Sequence, residues 1–198
     1  NPASVMKLVS TYAALDLLGP AFTWSTPVSL DGPVRSGTLT GNLYLRGQGD
    51  PTLVAERLWL LMRRVRGLGI ERIGGDIVLD HSAFALSPID PGGFDGEPLR
   101  PYNVAPDALL LNYKSVVMTF VVDRGANLAR VHVNPPLAGV DIPTSVPLSG
   151  GDCGDYRGAL RADFSDPVKV RFGGNYAAAC QEKTWAVAFA DPASHAAR

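Results

Sequence analysis

Proline and glycine interrupt this chain so often that long, uninterrupted helices have few places to form. The 198 residues include 16 prolines and 21 glycines. Each proline removes a backbone donor, and each glycine weakens a helix or strand interior. Many turns and short strands are expected, not a helical bundle. Hydrophobic residues make up 46% and charged residues 19%, which suits a packed core and excludes wholesale disorder. The length fits one large domain or two small ones. A formal net charge of −1 gives no bulk-charge reason to expect nucleic acid or an anionic membrane as a partner. Apolar runs such as Leu58-Trp59-Leu60-Leu61-Met62 stop far short of the roughly 20 residues that span a bilayer. Membrane contact would be peripheral at most.

The start, Asn1-Pro2-Ala3-Ser4, carries neither an initiator methionine nor a signal peptide. It reads as a processed protein or a fragment. Residues Ser4 to Leu18 predict a helix whose apolar residues cover nearly its whole circumference, which implies burial. Gly19-Pro20 should stop it. Strands are expected over Thr23–Leu30 and Thr38–Leu45, with Asp31-Gly32-Pro33 and Ser36-Gly37 as turns. A second helix is expected behind Asp50 as N-cap and Pro51 as first helical residue. It would bury Leu53, Val54, Leu58, Leu61, Met62, Val65 and Leu68, with Arg57, Arg63, Arg64 and Arg66 on a solvated face. A strand over Ile70–Leu79, broken at Gly74-Gly75, completes a small α/β layer. Pro88 to Pro106 reads as a long functional or connecting loop. Beyond it, Ala108–Asn112, Ser115–Val122, Ala129–Asn134, Val168–Phe172 and Thr184–Phe189 have β character and suggest a sandwich-like all-β part.

Chemistry concentrates at Ser4-Val5-Met6-Lys7. Ser4, Lys7 and Thr11 form the one polar stripe on the first helix, and a lysine three residues after a serine reaches its hydroxyl. The helix N-terminus favours developing negative charge. Desolvation among Met6, Leu8 and Tyr12 would strip the ammonium of its proton and make it a general base. His132 reads as an ordinary strand residue, and no Gly-x-Ser-x-Gly elbow supports a Ser-His-Asp arrangement. Asp50, Asp76 and Asp80 read as a cap and turn formers, not metal ligands. Cys153 and Cys180 have no third cysteine or histidine at metal-ligand spacing. They are either two separate thiols or one disulfide of an exported protein.

Pro2-Ala3-Ser4-Val5-Met6-Lys7, a Leu/Ala-rich helix and Leu17-Leu18-Gly19-Pro20 resemble the active-site helix of serine penicillin-binding proteins. Gly41-Asn42-Leu43-Tyr44-Leu45, Gly49-Asp50-Pro51-Thr52-Leu53, Gly75-Asp76-Ile77-Val78-Leu79-Asp80 with Ser82-Ala83-Phe84, and Ala105-Pro106 with Ala108-Leu109 and Asn112 extend the likeness. Together with the spacing of the cysteines, they resemble the large insertion of D-alanyl-D-alanine carboxypeptidases of the penicillin-binding protein 4 type. The resemblance implies an α+β organisation. Residues 1–27 would begin a transpeptidase-like domain, 28–106 would form an α/β insertion domain, and 107–198 a mainly β insertion domain that starts the return to the catalytic domain. It further implies a periplasmic or otherwise exported peptidoglycan carboxypeptidase/endopeptidase without a cofactor, and a Cys153–Cys180 disulfide. Ser4 would be acylated by a stem peptide or by penicillin, with Lys7 taking its proton. Counting back from Ala105-Pro106 assigns Tyr102 and Glu97 to binding the stem peptide's diaminopimelate side chain, with Asp95 competing for the acidic role.

The Ser-x-Asn and Lys-Thr-Gly motifs of that family are absent from this chain. Lys183-Thr184 is followed by Trp185 and reads as part of a surface strand. The chain is therefore expected to be a fragment that holds the first helix and the inserted domains only, and to be inactive alone. Two other readings compete. One is a non-catalytic peptidoglycan-binding or structural piece; the other is a β-lactamase or esterase, which would not carry this insertion after the helix.

Overall fold

A computed structural model describes residues 2–198; Asn1, where the transpeptidase-like segment 1–27 is expected to begin, lies outside the described residues. A 3-10 turn, Ala3–Val5, leads straight into helix α1, Met6–Leu18. Gly19 ends α1 at φ +78°, with its N–H on the Leu15 carbonyl. The left-handed backbone explains the glycine. The expected burial of α1 is not met: none of its residues is buried, and Leu17 is 80% exposed. Its apolar surface covers most of the circumference, but no other described element buries it.

Short strands come next: β1 (Val28–Leu30), β2 (Val34–Arg35), β3 (Thr38–Leu39) and β4 (Leu43–Arg46). Helix α2 (Ala55–Gly67) precedes β5 (Arg72–Ile73) and β6 (Ile77–Asp80). These strands make two small sheets, ordered β1-β4-β6 and β2-β3-β5. In each, the last pair is parallel, with α2 in the connection. Each long strand expected in this first half is thus split or shortened. Gly41-Asn42 divides β3 from β4, Gly74-Gly75 divides β5 from β6, and the run from Thr23 becomes strand only at Val28.

Asp50 does not cap α2, and Pro51 is not its first residue. The Asp50 carboxylate accepts both the N–H and the hydroxyl of Thr52 at 2.8 Å, a local turn that satisfies the side chain before the helix begins. The helix starts at Ala55, whose N–H points to Asn112 Oδ1 from 57 residues away, at 3.4 Å. Leu39, Leu43, Val65 and Ile70 form one core here, and Leu45, Leu53 and Leu109 a second. Arg57, Arg63, Arg64 and Arg66 are exposed as expected, but so is Leu68.

The second half is built on β7 (Ser115–Asp123), β8 (Leu128–Asn134) and β9 (Ser145–Ser149), with a short helix α3 (Tyr156–Leu160) after them. Then come β10 (Ala162–Asp166), β11 (Lys169–Phe172), β12 (Tyr176–Ala177) and β13 (Glu182–Ala188). Five of these strands form a sheet in the order β12-β9-β8-β7-β13, and β10 with β11 make a separate hairpin. The arrangement is a sheet with a hairpin and α3 against it. Phe120 stacks on Tyr176 and meets the edge of Phe172, while Phe164 of the hairpin meets Trp185. Ala108–Asn112 is not a strand. It runs into a 3-10 turn, Asn112–Lys114, in which all three residues have positive φ. A chain reversing there cannot hold a strand's extended backbone. Cys153 and Cys180 are joined in a disulfide. Closing a loop of that length destabilises the unfolded chain by roughly 3–4 kcal/mol in the chain-entropy model.

Candidate active site

Ser4 sits in the 3-10 turn and Lys7 in the first turn of α1. Both line an open cleft of about 950 Å³ whose far wall is the 88–106 loop, through Ile89, Asp90, Phe94, Tyr102 and Asn103. Residues far apart in sequence are thereby brought to the serine by a loop with almost no regular structure. Its shape comes from its own hydrogen bonds. Asp95 accepts from the Tyr102 hydroxyl and from Asn103 Nδ2, each at 2.7 Å, and from the Glu97 N–H at 2.9 Å. Asn103 Nδ2 also donates to the Glu97 carbonyl at 3.0 Å. The Tyr102 bond holds the Asp95 carboxyl below its ordinary pKa, and the same bond raises that of the Tyr102 phenol.

The assigned positions separate. Tyr102, 67% exposed, faces the cleft with Ser4 and Lys7. Asp95 does not line the cleft itself but holds Tyr102 and Asn103, which do. Glu97 pairs with Arg100 and lies on the other side of the loop, in a second recess shared with Asp155, Arg157 and Trp185. Lys7 is exposed, so the described residues do not desolvate it as the apolar run around it predicts. His132 is an exposed residue of β8, opposite Thr119. Asp80 accepts the Ser82 N–H and pairs with Arg46. No cluster of three potential metal ligands occurs among the described residues.

A buried ionic group has no counterpart among the motifs of the sequence. The Lys114 ammonium, on a residue only 7% exposed, lies 2.6 Å from Asp107 Oδ2. Oδ1 of the same carboxylate is 2.5 Å from His81 Nδ1 and accepts the Leu109 N–H at 2.9 Å. Burial pushes the Asp107 pKa up, but the bonds from His81, Lys114 and Leu109 outweigh it and hold the group below its ordinary value. This group pins the C-terminal end of the 88–106 loop to the end of β6 and to the turn before β7. Gly47 allows the approach, because a Cβ there would run into the Ala108 backbone. The available signal is Asp107, Asn112 and Lys114 standing as polar residues in an otherwise apolar run.

The model of the D-Ala-D-Ala carboxypeptidase 3 (S13) family matches residues 1–198. Among curated proteins, D-alanyl-D-alanine carboxypeptidase DacB of Haemophilus influenzae is 37% identical over 83 residues, covering 42% of this chain and 17% of that protein. A D-alanyl-D-alanine carboxypeptidase of Actinomadura sp. strain R39 is 40% identical over 84 residues, 42% of this chain and 15% of its own. Among solved structures, penicillin binding protein 4 (dacB) from Haemophilus influenzae superposes with a TM-score of 0.69 at 23% identity. That superposition covers 99% of this chain and 43% of the solved one. The same protein complexed with a β-lactam gives a TM-score of 0.63. The chain therefore spans less than half the length of the solved protein whose fold it shares.

Proposed function

The chain belongs to the D-Ala-D-Ala carboxypeptidase 3 (S13) family, and on that basis we propose that the full-length protein is a serine-type D-Ala-D-Ala carboxypeptidase/endopeptidase acting on peptidoglycan stem peptides. The observation that carries the reading is the cleft that joins Ser4 and Lys7 to Tyr102. Ser4 Oγ attacks the carbonyl carbon of the D-Ala-D-Ala bond while Lys7 Nζ takes the hydroxyl proton. The tetrahedral intermediate collapses, the Lys7 ammonium gives the proton it took to the departing nitrogen, the terminal D-alanine leaves as the free amine, and an ester on Ser4 remains. Water then hydrolyses the ester and returns the proton to the serine. Penicillin acylates the same oxygen. Tyr102, oriented by Asp95, contacts the stem peptide across the cleft; Glu97 supplies charge on the loop's opposite side.

For Lys7 to act as a base its amine must be neutral, which calls for a desolvated setting, and Lys7 is exposed on α1. Desolvation by the remainder of the protein supplies that condition, together with the Ser-x-Asn and Lys-Thr-Gly groups. The disulfide suits an exported protein, in accord with a periplasmic location. The test is D-alanine release from a peptide ending in D-Ala-D-Ala by the full-length protein. Ser4→Ala abolishes release, and Lys7→Met lowers kcat by about 10²–10⁴-fold, the usual worth of a general base. Release undiminished by either variant contradicts the assignment. The exposure of Ser4 and Lys7 favours one second reading, a non-catalytic peptidoglycan-binding piece. That reading gives no D-alanine release from the full-length protein and no acylation by penicillin.

A further inference from the structure

The recess behind the 95–103 loop is a separate cavity of about 530 Å³, lined by Glu97, Leu99, Arg100, Asp155, Arg157 and Trp185. Its four charged groups do not stand alike. Glu97 is paired with Arg100. Asp155 is the N-cap of α3 and accepts the Gly158 N–H at 3.1 Å. Arg157 makes no ion pair among the described residues. Its guanidinium instead lies over two aromatic rings, 5.6 Å from the Tyr156 centroid and 5.8 Å from that of Trp185, and its Nε donates to the Tyr156 hydroxyl at 3.2 Å. The two ring contacts and the Nε bond together hold the guanidinium in place. Using only Nε leaves the two terminal nitrogens, the fork that takes a carboxylate in a bidentate grip. Leu99 and the Trp185 ring give the recess an apolar wall beside that fork.

We propose that this recess is a second peptide subsite in which Arg157 binds a free carboxylate, distinct from the Ser4 cleft and separated from it by the 95–103 loop. The choice of a peptide as ligand rests on the carboxypeptidase function; the recess and its unpaired arginine do not. With Tyr102 and Asn103 on one side and Glu97 and Arg100 on the other, a single loop forms a wall of both sites. A polymer carrying several peptide carboxylates is thus held at a point removed from the bond being cut.

The test uses the full-length protein labelled with fluorinated tryptophan, the Trp185 resonance being assigned through Trp185→Phe. Titration with N-acetyl-D-alanyl-D-alanine shifts the Trp185 resonance, and the C-terminal amide of the same peptide does not. Arg157→Ala abolishes the shift. Arg157→Lys, which keeps the charge and loses the fork, weakens it by about tenfold or more with an unchanged melting temperature, which separates loss of the site from loss of the fold. The benzylpenicillin acylation rate stays the same in both variants. A Trp185 resonance that does not move, moves equally with the amide, or still moves in Arg157→Ala overturns the proposal. Failure of the carboxypeptidase reading shows elsewhere, as absent D-alanine release and absent acylation.

Discussion

Lys114 places its amino group where water barely reaches, 2.6 Å from the Asp107 carboxylate. Removing one member of such a pair leaves the other's charge uncompensated in a poorly hydrated site, which costs about 3–5 kcal/mol. Asp107→Asn is therefore expected to lower the denaturation midpoint sharply, and urea titration of the variant measures it. The same contacts set a pH dependence. Because folding depresses the Asp107 pKa from its ordinary 3.8, the unfolded chain binds the proton more readily. The contribution is fully present above about pH 4 and is lost as pH falls through the folded value. Melting temperatures measured from pH 6 down to pH 3 should fall less steeply for Asp107→Asn than for the parent. In the cleft, Tyr102→Ala should raise KM for the peptide several-fold with little change in penicillin acylation. An equal loss in both would mean that Tyr102 serves the serine and not the peptide.

Among the elements, those driven by local pattern can be read from sequence and those driven by distant partners cannot. The first helix, its stop at Gly19 and the strands β7 and β8 arise from runs long and regular enough to declare their type. The start of α2 does not, because the acceptor facing its first N–H is Asn112, on another segment. Pro147 interrupts β9 and hides it; β12 has only two residues and pairs parallel with β9. Neither leaves a pattern long enough to read. The site divides the same way. Ser4 and Lys7 stand out as a motif, whereas the sorting of Asp95, Glu97 and Tyr102 to different sides of one loop arises from hydrogen bonds within it. The heart of the second half is the aromatic cluster around Phe120, which is fully buried. Phe120→Ala should cost about 3–5 kcal/mol, measurable by calorimetry. A loss below about 1 kcal/mol would mean that the hairpin and α3 do not close over the sheet.

For the whole molecule, the telling feature is α1, apolar over most of its circumference and with no residue buried. An exposed surface of that size marks an interaction site, and the solved protein that shares this fold is more than twice as long. In the proposed enzyme the remainder of the full-length protein covers α1, desolvates Lys7 and completes the groups around Ser4. All of this chemistry depends on Ser4 being the nucleophile. Intact mass spectrometry of the full-length protein with and without benzylpenicillin, combined with peptide mapping, reads that role without an intermediate step. One penicillin adduct is expected, located on Ser4 and lost in Ser4→Ala. A protein that takes up no penicillin, or takes it up on another residue and still does so in Ser4→Ala, would contradict the assignment.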